Sequence, residues 1–113
     1  MNTITLNCLV EDEDPLEDLF LIRINKNLVV DDLQTAIKVK KQKRFADVNT
    51  TDLNLWKVDI LLDKPSGELK VLENKEHAVI KECLNGTMLY PRQKIIEIFS
   101  KVPKENYLSI IVE

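Results

Sequence analysis

The spacing of apolar residues in the first 45 positions constrains the fold more than any other feature of the chain. Residues 4–10, ITLNCLV, and residues 19–24, LFLIRI, each alternate between two faces, which is typical of half-buried strands. The connection between them is short and contains Pro15, so the two strands are expected to form a hairpin. From Val30 the apolar residues recur at helical spacing, which predicts a helix over about 30–43.

The rest of the chain adds two strands and a short helix. Residues 53–60, LNLWKVDI, and residues 107–112, YLSIIV, again alternate as strands do. In the last strand, the alternation groups Leu108 with Ile110 and Val112, opposite Tyr107, Ser109 and Ile111. A short helix is predicted after Pro91, with Ile95, Ile98 and Phe99 on one face. The second half of residues 69–84 is compatible with another short helix.

This order of elements predicts an α+β protein with a β-grasp, or ubiquitin-like, fold. In that fold a hairpin is followed by a helix that crosses the sheet, and the last strand lies parallel to the first in the middle of the sheet. Central strands are the most buried, which agrees with the apolar character of residues 4–10 and 107–112. A chain of 113 residues fits a single domain, so we expect one domain over residues 1–113.

The composition points to no catalytic chemistry. The only His is His77, and the two cysteines, Cys8 and Cys83, are expected to be reduced and buried rather than paired. Two glycines are too few for a phosphate-binding loop, and neither Ser66 nor Ser109 has a nearby His that could activate it. We therefore predict a protein that is not an enzyme and has no catalytic residues, no metal and no cofactor.

Charge is unevenly distributed along the chain, whose net charge is -3. Residues 11–18 hold six acids, whereas residues 38–44 hold five bases at the end of the predicted helix. These bases form a candidate protein-interaction patch, the basic helix end: Lys38, Lys40, Lys41, Lys43 and Arg44. The alternative interpretation is a solvated helix face. Nucleic acid is a minor option, because Phe45 is the one aromatic residue near these bases.

The ordered set of segments resembles the N-terminal header domain of Crinkler effectors, over nearly the whole chain. The family pattern DLK-x-x-IK reads DLQTAIK at residues 32–38, and the final helix and strand also resemble the family's. The family's L-x-LFLAK element reads LNLWKVD here, a form similar to the fungal L-x-LWKV variant, in which Asp59 is a mismatch. The residues that carry this family motif are Leu53, Leu55, Trp56, Lys57 and Val58.

The resemblance implies a non-catalytic delivery or interaction module of a secreted effector that acts in a host cell, with the nucleus among its destinations. The N-terminus has no recognisable signal peptide and the chain no membrane-spanning stretch, so export is expected either to use another route or to depend on a leader that has been removed. Val29 departs from the family pattern, because a Ser or Thr usually caps the first helix there.

The alternative function is an intracellular ubiquitin-like adaptor of the Ras-association type, which would bind its partner through the basic helix end and an adjacent edge strand. In either case the partner is expected to be a protein. Edge strands of an open sheet can also pair with a second copy, so a homodimer is a further option.

Alternation assigns the family motif to two faces of the sheet. Leu53, Leu55 and Lys57 are expected to face the helix, whereas Trp56 and Val58 should lie on the opposite face. Trp56 is expected to be partly exposed there or covered by residues 61–90.

Overall fold

The structure is a computed structural model that describes residues 2–11, 13, 17–63, 86–101 and 103–113. The elements, in chain order, are β1 (Thr3–Val10), β2 (Phe20–Asn25), α1 (Val30–Lys40), α2 (Gln42–Phe45), a 3-10 turn (Thr50–Asp52), β3 (Leu55–Leu61), β4 (Thr87–Met88), α3 (Ile95–Ile98) and β5 (Tyr107–Val112). The additional short helix predicted within residues 69–84 lies outside the described residues. Within the described part of the chain, no helix is long and apolar enough to cross a membrane.

In the described part of the chain, five strands form one mixed sheet in the order β2-β1-β5-β3-β4. β1 and β2 form the predicted antiparallel hairpin, in which Leu6 lies opposite Ile22. β5 lies in the middle of the sheet, parallel to β1 and antiparallel to β3. This arrangement, with α1 on one face, confirms the predicted α+β, β-grasp-like fold.

The two faces of the sheet carry separate apolar clusters. The larger cluster lies between the sheet and α1, where Val30, Leu33 and Ile37 of the helix are fully buried. The opposite face carries a smaller cluster: Leu9, Val58, Ile60, Leu108 and Ile111. Because both faces of the central strands are covered by apolar side chains, β5 is buried along almost its whole length.

The main helix is shorter than predicted. α1 ends at Lys40, and Lys41 leaves helical geometry while its N–H donates to the carbonyl of Ile37 at 2.9 Å. The separate turn α2 then buries Phe45 against the larger cluster. The predicted helix over 30–43 therefore breaks at Lys41, and the break lets Phe45 reach the core.

Backbone carbonyls from a distant segment cap the start of α1. Val29, at the N-cap position, has no side-chain oxygen, as the sequence implied. The N–H groups of Val30 and Asp31 instead donate to the carbonyls of Gln93 and Pro91, both at 2.9 Å. The N–H of Val29 itself donates to a carboxylate oxygen of Asp32, in the first turn of the helix, at 3.1 Å. The helix end is thus satisfied without a Ser or Thr cap.

The predicted alternation of β5 holds for Ile110, Ile111 and Val112 but fails at Leu108. Ile110 and Val112 face α1 as expected, but Leu108 packs on the opposite face beside Ile111. The change coincides with a register irregularity in the pairing with β3, between Lys57 and Ile60. A bulge adds a residue to one strand and turns side chains at that point, so the assignment of Leu108 from alternation alone was wrong.

Candidate functional site

The leucines of the family motif are structural. Leu53 and Leu55 are 3% and 1% exposed and pack in the cluster beneath α1. The side chain of Gln34, itself buried, donates from Nε2 to the carbonyl of Leu53 at 2.8 Å and so ties the helix to the start of the motif. Gln34 stands where the family pattern has a Lys, and either side chain can donate this bond.

Trp56 and Val58 lie on the other face, as alternation predicted. Val58 belongs to the smaller cluster, and Trp56 packs against it while remaining half-buried. The indole Nε1–H donates to a carboxylate oxygen of Glu113 at 3.2 Å. Trp56 is therefore a partly covered packing residue whose polar edge reaches the surface.

Lys57 is the motif residue whose charged group reaches solvent on the α1 face. Its Nζ lies 5.5 Å from the centre of the Phe99 ring, a cation–π distance. Lys57, Val58 and Asp59 line one side of a pocket of about 390 Å³, the β3–β5 pocket. Its other walls are residues 98–101 together with Pro103, Lys104, Tyr107 and Ser109. The register irregularity lies in this wall.

The basic helix end is only partly available to a partner. Lys40, Lys43 and Arg44 are exposed, and Arg44 lies 5.9 Å from the centre of the Phe45 ring. Lys38 and Lys41 are half-buried. Lys38 and Lys40 lie on the last turn of α1, Lys41 lies at the break, and Lys43 and Arg44 lie on α2, so the five bases share one end of the molecule. Their role as a binding patch stays a prediction.

The acidic connection between β1 and β2 reaches this same end. Nζ of Lys41 lies 3.1 Å from a carboxylate oxygen of Glu13 and 5.2 Å from the centre of the Phe20 ring. Lys41 is therefore held in place by an intramolecular ion pair and by a ring. Opposite charge at residues 11–18 and 38–44 was the sequence signal for this pairing, but sequence spacing alone could not place the two runs together.

A shallow groove runs between α1 and β2, the strand at one edge of the described sheet. Its lining combines apolar side chains, Leu21 and Val39, with the charged side chains Arg23 and Lys40. Leu21 is 54% exposed and Val39 is 68% exposed. An exposed edge strand beside such a groove is a common site of protein–protein contact.

Cys8 has the environment of a core residue. It is buried, it is a free thiol, and burial raises the pKa of this thiol far above its ordinary value. A thiol in that state stays protonated and is a poor nucleophile. Among the described residues, no group of three or more His, Cys, Asp and Glu side chains is placed to hold a metal ion. His77 and Cys83 lie outside the described residues.

Sequence reasoning missed the residues that close the β3–β5 pocket: Lys101, Lys104, Tyr107 and Ser109. These residues follow the short helix as KVPKENYLS, in which two lysines precede one aromatic residue, Tyr107. Lysines close to a tyrosine in the sequence were the available signal. The pocket depends on the irregularity in β5, which apolar periodicity does not reveal.

Comparison with known proteins agrees with the motif and the fold. The family model of the Crinkler effector protein N-terminal domain matches residues 4–113. Crinkler effector protein 1 of Rhizophagus irregularis is 30% identical to this chain over 111 residues. That alignment covers 98% of this chain but 21% of the relative, so the chain spans about a fifth of the relative's length. The chain therefore belongs to the Crinkler effector family, and the part of the family that it matches is the N-terminal domain.

Proposed function

We propose that this domain is a non-catalytic module that engages a protein partner during delivery of a Crinkler-type effector into a host cell. The match to the family's N-terminal domain supports this, since it spans nearly the whole chain. In this proposal the effector is secreted and then acts inside the host cell, with the nucleus among its destinations. Any activity of a longer effector would reside in other parts of that protein.

The choice of the basic helix end as the partner-binding surface rests on one observation. Lys40 and Lys43 are exposed at the basic helix end, next to Lys41, which Glu13 already pairs. Two exposed cations beside a pre-ordered ion pair suit an acidic protein surface, because such charges steer association and select partners. The buried family-motif leucines Leu53 and Leu55 then serve this surface indirectly, by holding α1 on the sheet.

The test is a delivery assay on a reporter fused to this chain. Scrambling residues 53–60 would be uninformative, because it would remove buried core residues. We therefore compare the double variant Lys40→Glu/Lys43→Glu with a matched control, Arg92→Glu/Lys94→Glu, which makes the same charge change at exposed positions. The control positions lie near the start of α1, about 15 Å from its end for a helix of this length.

We expect the helix-end variant to lose most export or uptake of the reporter while the control retains it. Thermal melts of both variants establish that each is folded. Equal delivery by the unmodified chain and the helix-end variant would refute the proposed surface. A reporter that is delivered no better with this chain than without it would refute the delivery role itself.

A second candidate, an intracellular adaptor of the Ras-association type, is favoured by the groove between α1 and β2. A partner strand could extend the sheet at β2 while acidic side chains meet Arg23 and Lys40. In a pull-down from an extract of the cells that make the protein, the unmodified chain should capture a protein that Arg23→Glu/Lys40→Glu does not capture. A reporter fused to the unmodified chain should then not be delivered. Retention of all captured proteins by this variant would exclude the adaptor. A homodimer through β2 stays a prediction that light scattering tests.

A further inference from the structure

The β3–β5 pocket combines an apolar floor with a rim of cations. Phe99 and Tyr107 contribute aromatic rings, and Ile98 and Pro103 contribute aliphatic surface. The rim carries three ammonium groups, those of Lys57, Lys101 and Lys104, against the single carboxylate of Asp59. The charge around the opening is therefore positive in a chain whose net charge is -3.

Two of these cations are held over the floor. Nζ of Lys57 lies 5.5 Å from the Phe99 ring centre, and Nζ of Lys104 lies 5.8 Å from the Tyr107 ring centre. A cation over a ring loses less conformational freedom when it meets an anion, because it is already partly ordered. The rim is thus arranged to meet negative charge directly above apolar surface.

The walls of the pocket are anchored to the sheet. Asn7 donates from Nδ2 to the carbonyls of Glu105 and Tyr107, at 2.6 and 2.8 Å. The N–H of Leu62 donates to the carbonyl of Asn106 at 2.8 Å, which ties the same turn to the end of β3. On the other side, Phe99 closes the end of α3 through a 2.9 Å bond from its N–H to the carbonyl of Ile95. The pocket is therefore largely formed before any ligand binds.

The register irregularity shapes the opening. Because the pattern of β5 changes at Leu108, both Tyr107 and Ser109 line the pocket beside Lys57. Regular alternation would have grouped Ser109 with Ile111 on the opposite face. Bulges that redirect side chains in this way are frequent next to binding sites.

We propose that the β3–β5 pocket binds a short peptide segment of a partner protein in which acidic residues flank an apolar side chain. The apolar residue would pack against the apolar lining of the pocket, while its acidic neighbours meet the ammonium groups of the three lysines. A phosphate ion would use the cations but leave the apolar floor without a partner, so the combination favours a peptide. This site is separate from the basic helix end and places Lys57 of the family motif in direct contact with a ligand.

The experiment measures binding of fluorescein-labelled hexapeptides to the 113-residue chain by anisotropy, with amide chemical shifts to locate the site. The probe is EELLEE, and the comparison peptides are EEGGEE, which has no apolar side chain, and KKLLKK, which has the opposite charge. We expect saturable binding of EELLEE, with shifts centred on Lys101, Lys104 and Tyr107. We also expect binding of EEGGEE at least about tenfold weaker and none of KKLLKK.

Two charge-reversal variants locate the effect. Lys101→Glu/Lys104→Glu should weaken EELLEE binding at least about tenfold, whereas Arg92→Glu/Lys94→Glu, the same charge change near the start of α1, should alter it less than about twofold. All four positions are exposed, so the fold should be retained. If the first variant nevertheless unfolds, Lys101→Ala/Lys104→Ala replaces it with the same expected direction.

Three results would overturn the proposal. The first is no saturable binding of EELLEE at the pocket. The second is equal loss in both charge-reversal variants, or equal binding of EEGGEE, either of which would indicate non-specific attraction to cations. The third is displacement of the peptide by millimolar inorganic phosphate, which would identify an anion site. None of these results depends on reporter delivery, so failure of the pocket proposal can be distinguished from failure of the proposed function.

Discussion

Leu55 and Trp56 are neighbours in the chain but belong to different clusters. Leu55 is 1% exposed beneath α1, whereas Trp56 is half-buried on the opposite face with its Nε1–H bonded to Glu113. Truncation of a fully buried side chain removes packing on all sides and leaves a cavity, but water can reach the space left by a half-exposed one. The size of a side chain alone therefore does not predict how much its truncation lowers the free energy of unfolding.

We predict that Leu55→Ala lowers the free energy of unfolding by about 2–5 kcal/mol, in the range for buried leucines. Trp56→Ala should cost less, roughly 1–2 kcal/mol, in spite of its larger side chain. Urea titrations followed by circular dichroism measure both values. Equal losses for the two variants would show that Trp56 is as deeply packed as Leu55.

Among the elements, α1 shows how a tertiary contact can replace a local signal. A Ser or Thr at the N-cap would normally accept a hydrogen bond from the second or third helical N–H. Here the N–H of Asp31 donates to the carbonyl of Pro91, and the N–H of Asp32 donates to the carbonyl of Val29 at 3.0 Å. The donors that a capping side chain would serve are already satisfied.

We therefore expect Val29→Ser to change the free energy of unfolding by less than about 0.5 kcal/mol, and not to add the roughly 1 kcal/mol of a new cap. Asp32→Ala is the matched comparison, because it removes the acceptor for the Val29 N–H and a negative charge near the positive end of the helix dipole. That variant should melt at a lower temperature. A clear gain from Val29→Ser would mean that the carbonyls of residues 91 and 93 are poor caps.

For the whole molecule, β5 is the strand that joins the two halves of the sheet. β1 and β2 lie on one side of it, and β3 and β4 lie on the other. Without β5, the described sheet is left as two separate two-stranded pairs, and such pairs are marginal in water. Residues near the C-terminus thus complete a sheet that begins at Thr3.

A chain that ends at residue 106 should therefore fail to fold, with no cooperative thermal transition by circular dichroism. The control lacks only Glu113, which bonds to Asn54 through its backbone but follows the last residue of β5. It should keep a cooperative transition at a somewhat lower temperature. Cooperative unfolding of the 106-residue chain would show that the remaining strands form a sheet without β5.

Much of this architecture was accessible from pattern. β2 alternates regularly, and β1 does so up to Cys8, after which Leu9 is buried on the opposite face; the side chains toward α1 are those that alternation predicts. α1 begins at Val30 as expected, although a break at Lys41 shortens it. The motif strand also keeps its predicted faces, with Leu55 toward α1 and Trp56 away from it. The candidate surfaces could be predicted only in part. The runs of like charge are visible in the sequence, but the residues that lie beside them in space are not.

The sequence by itself determined β1, β2, β3, β5 and the start of α1, most of their buried faces, and the family, because these depend on periodicities of two and 3.6 residues and on residue order. The tertiary structure alone decided the pairing of Glu13 with Lys41, the capping of α1 by residues 91 and 93, and the β3–β5 pocket. Each of these joins residues far apart in the chain. Local periodicity does not predict such contacts, because they depend on how the sheet closes and on where β5 departs from regular alternation.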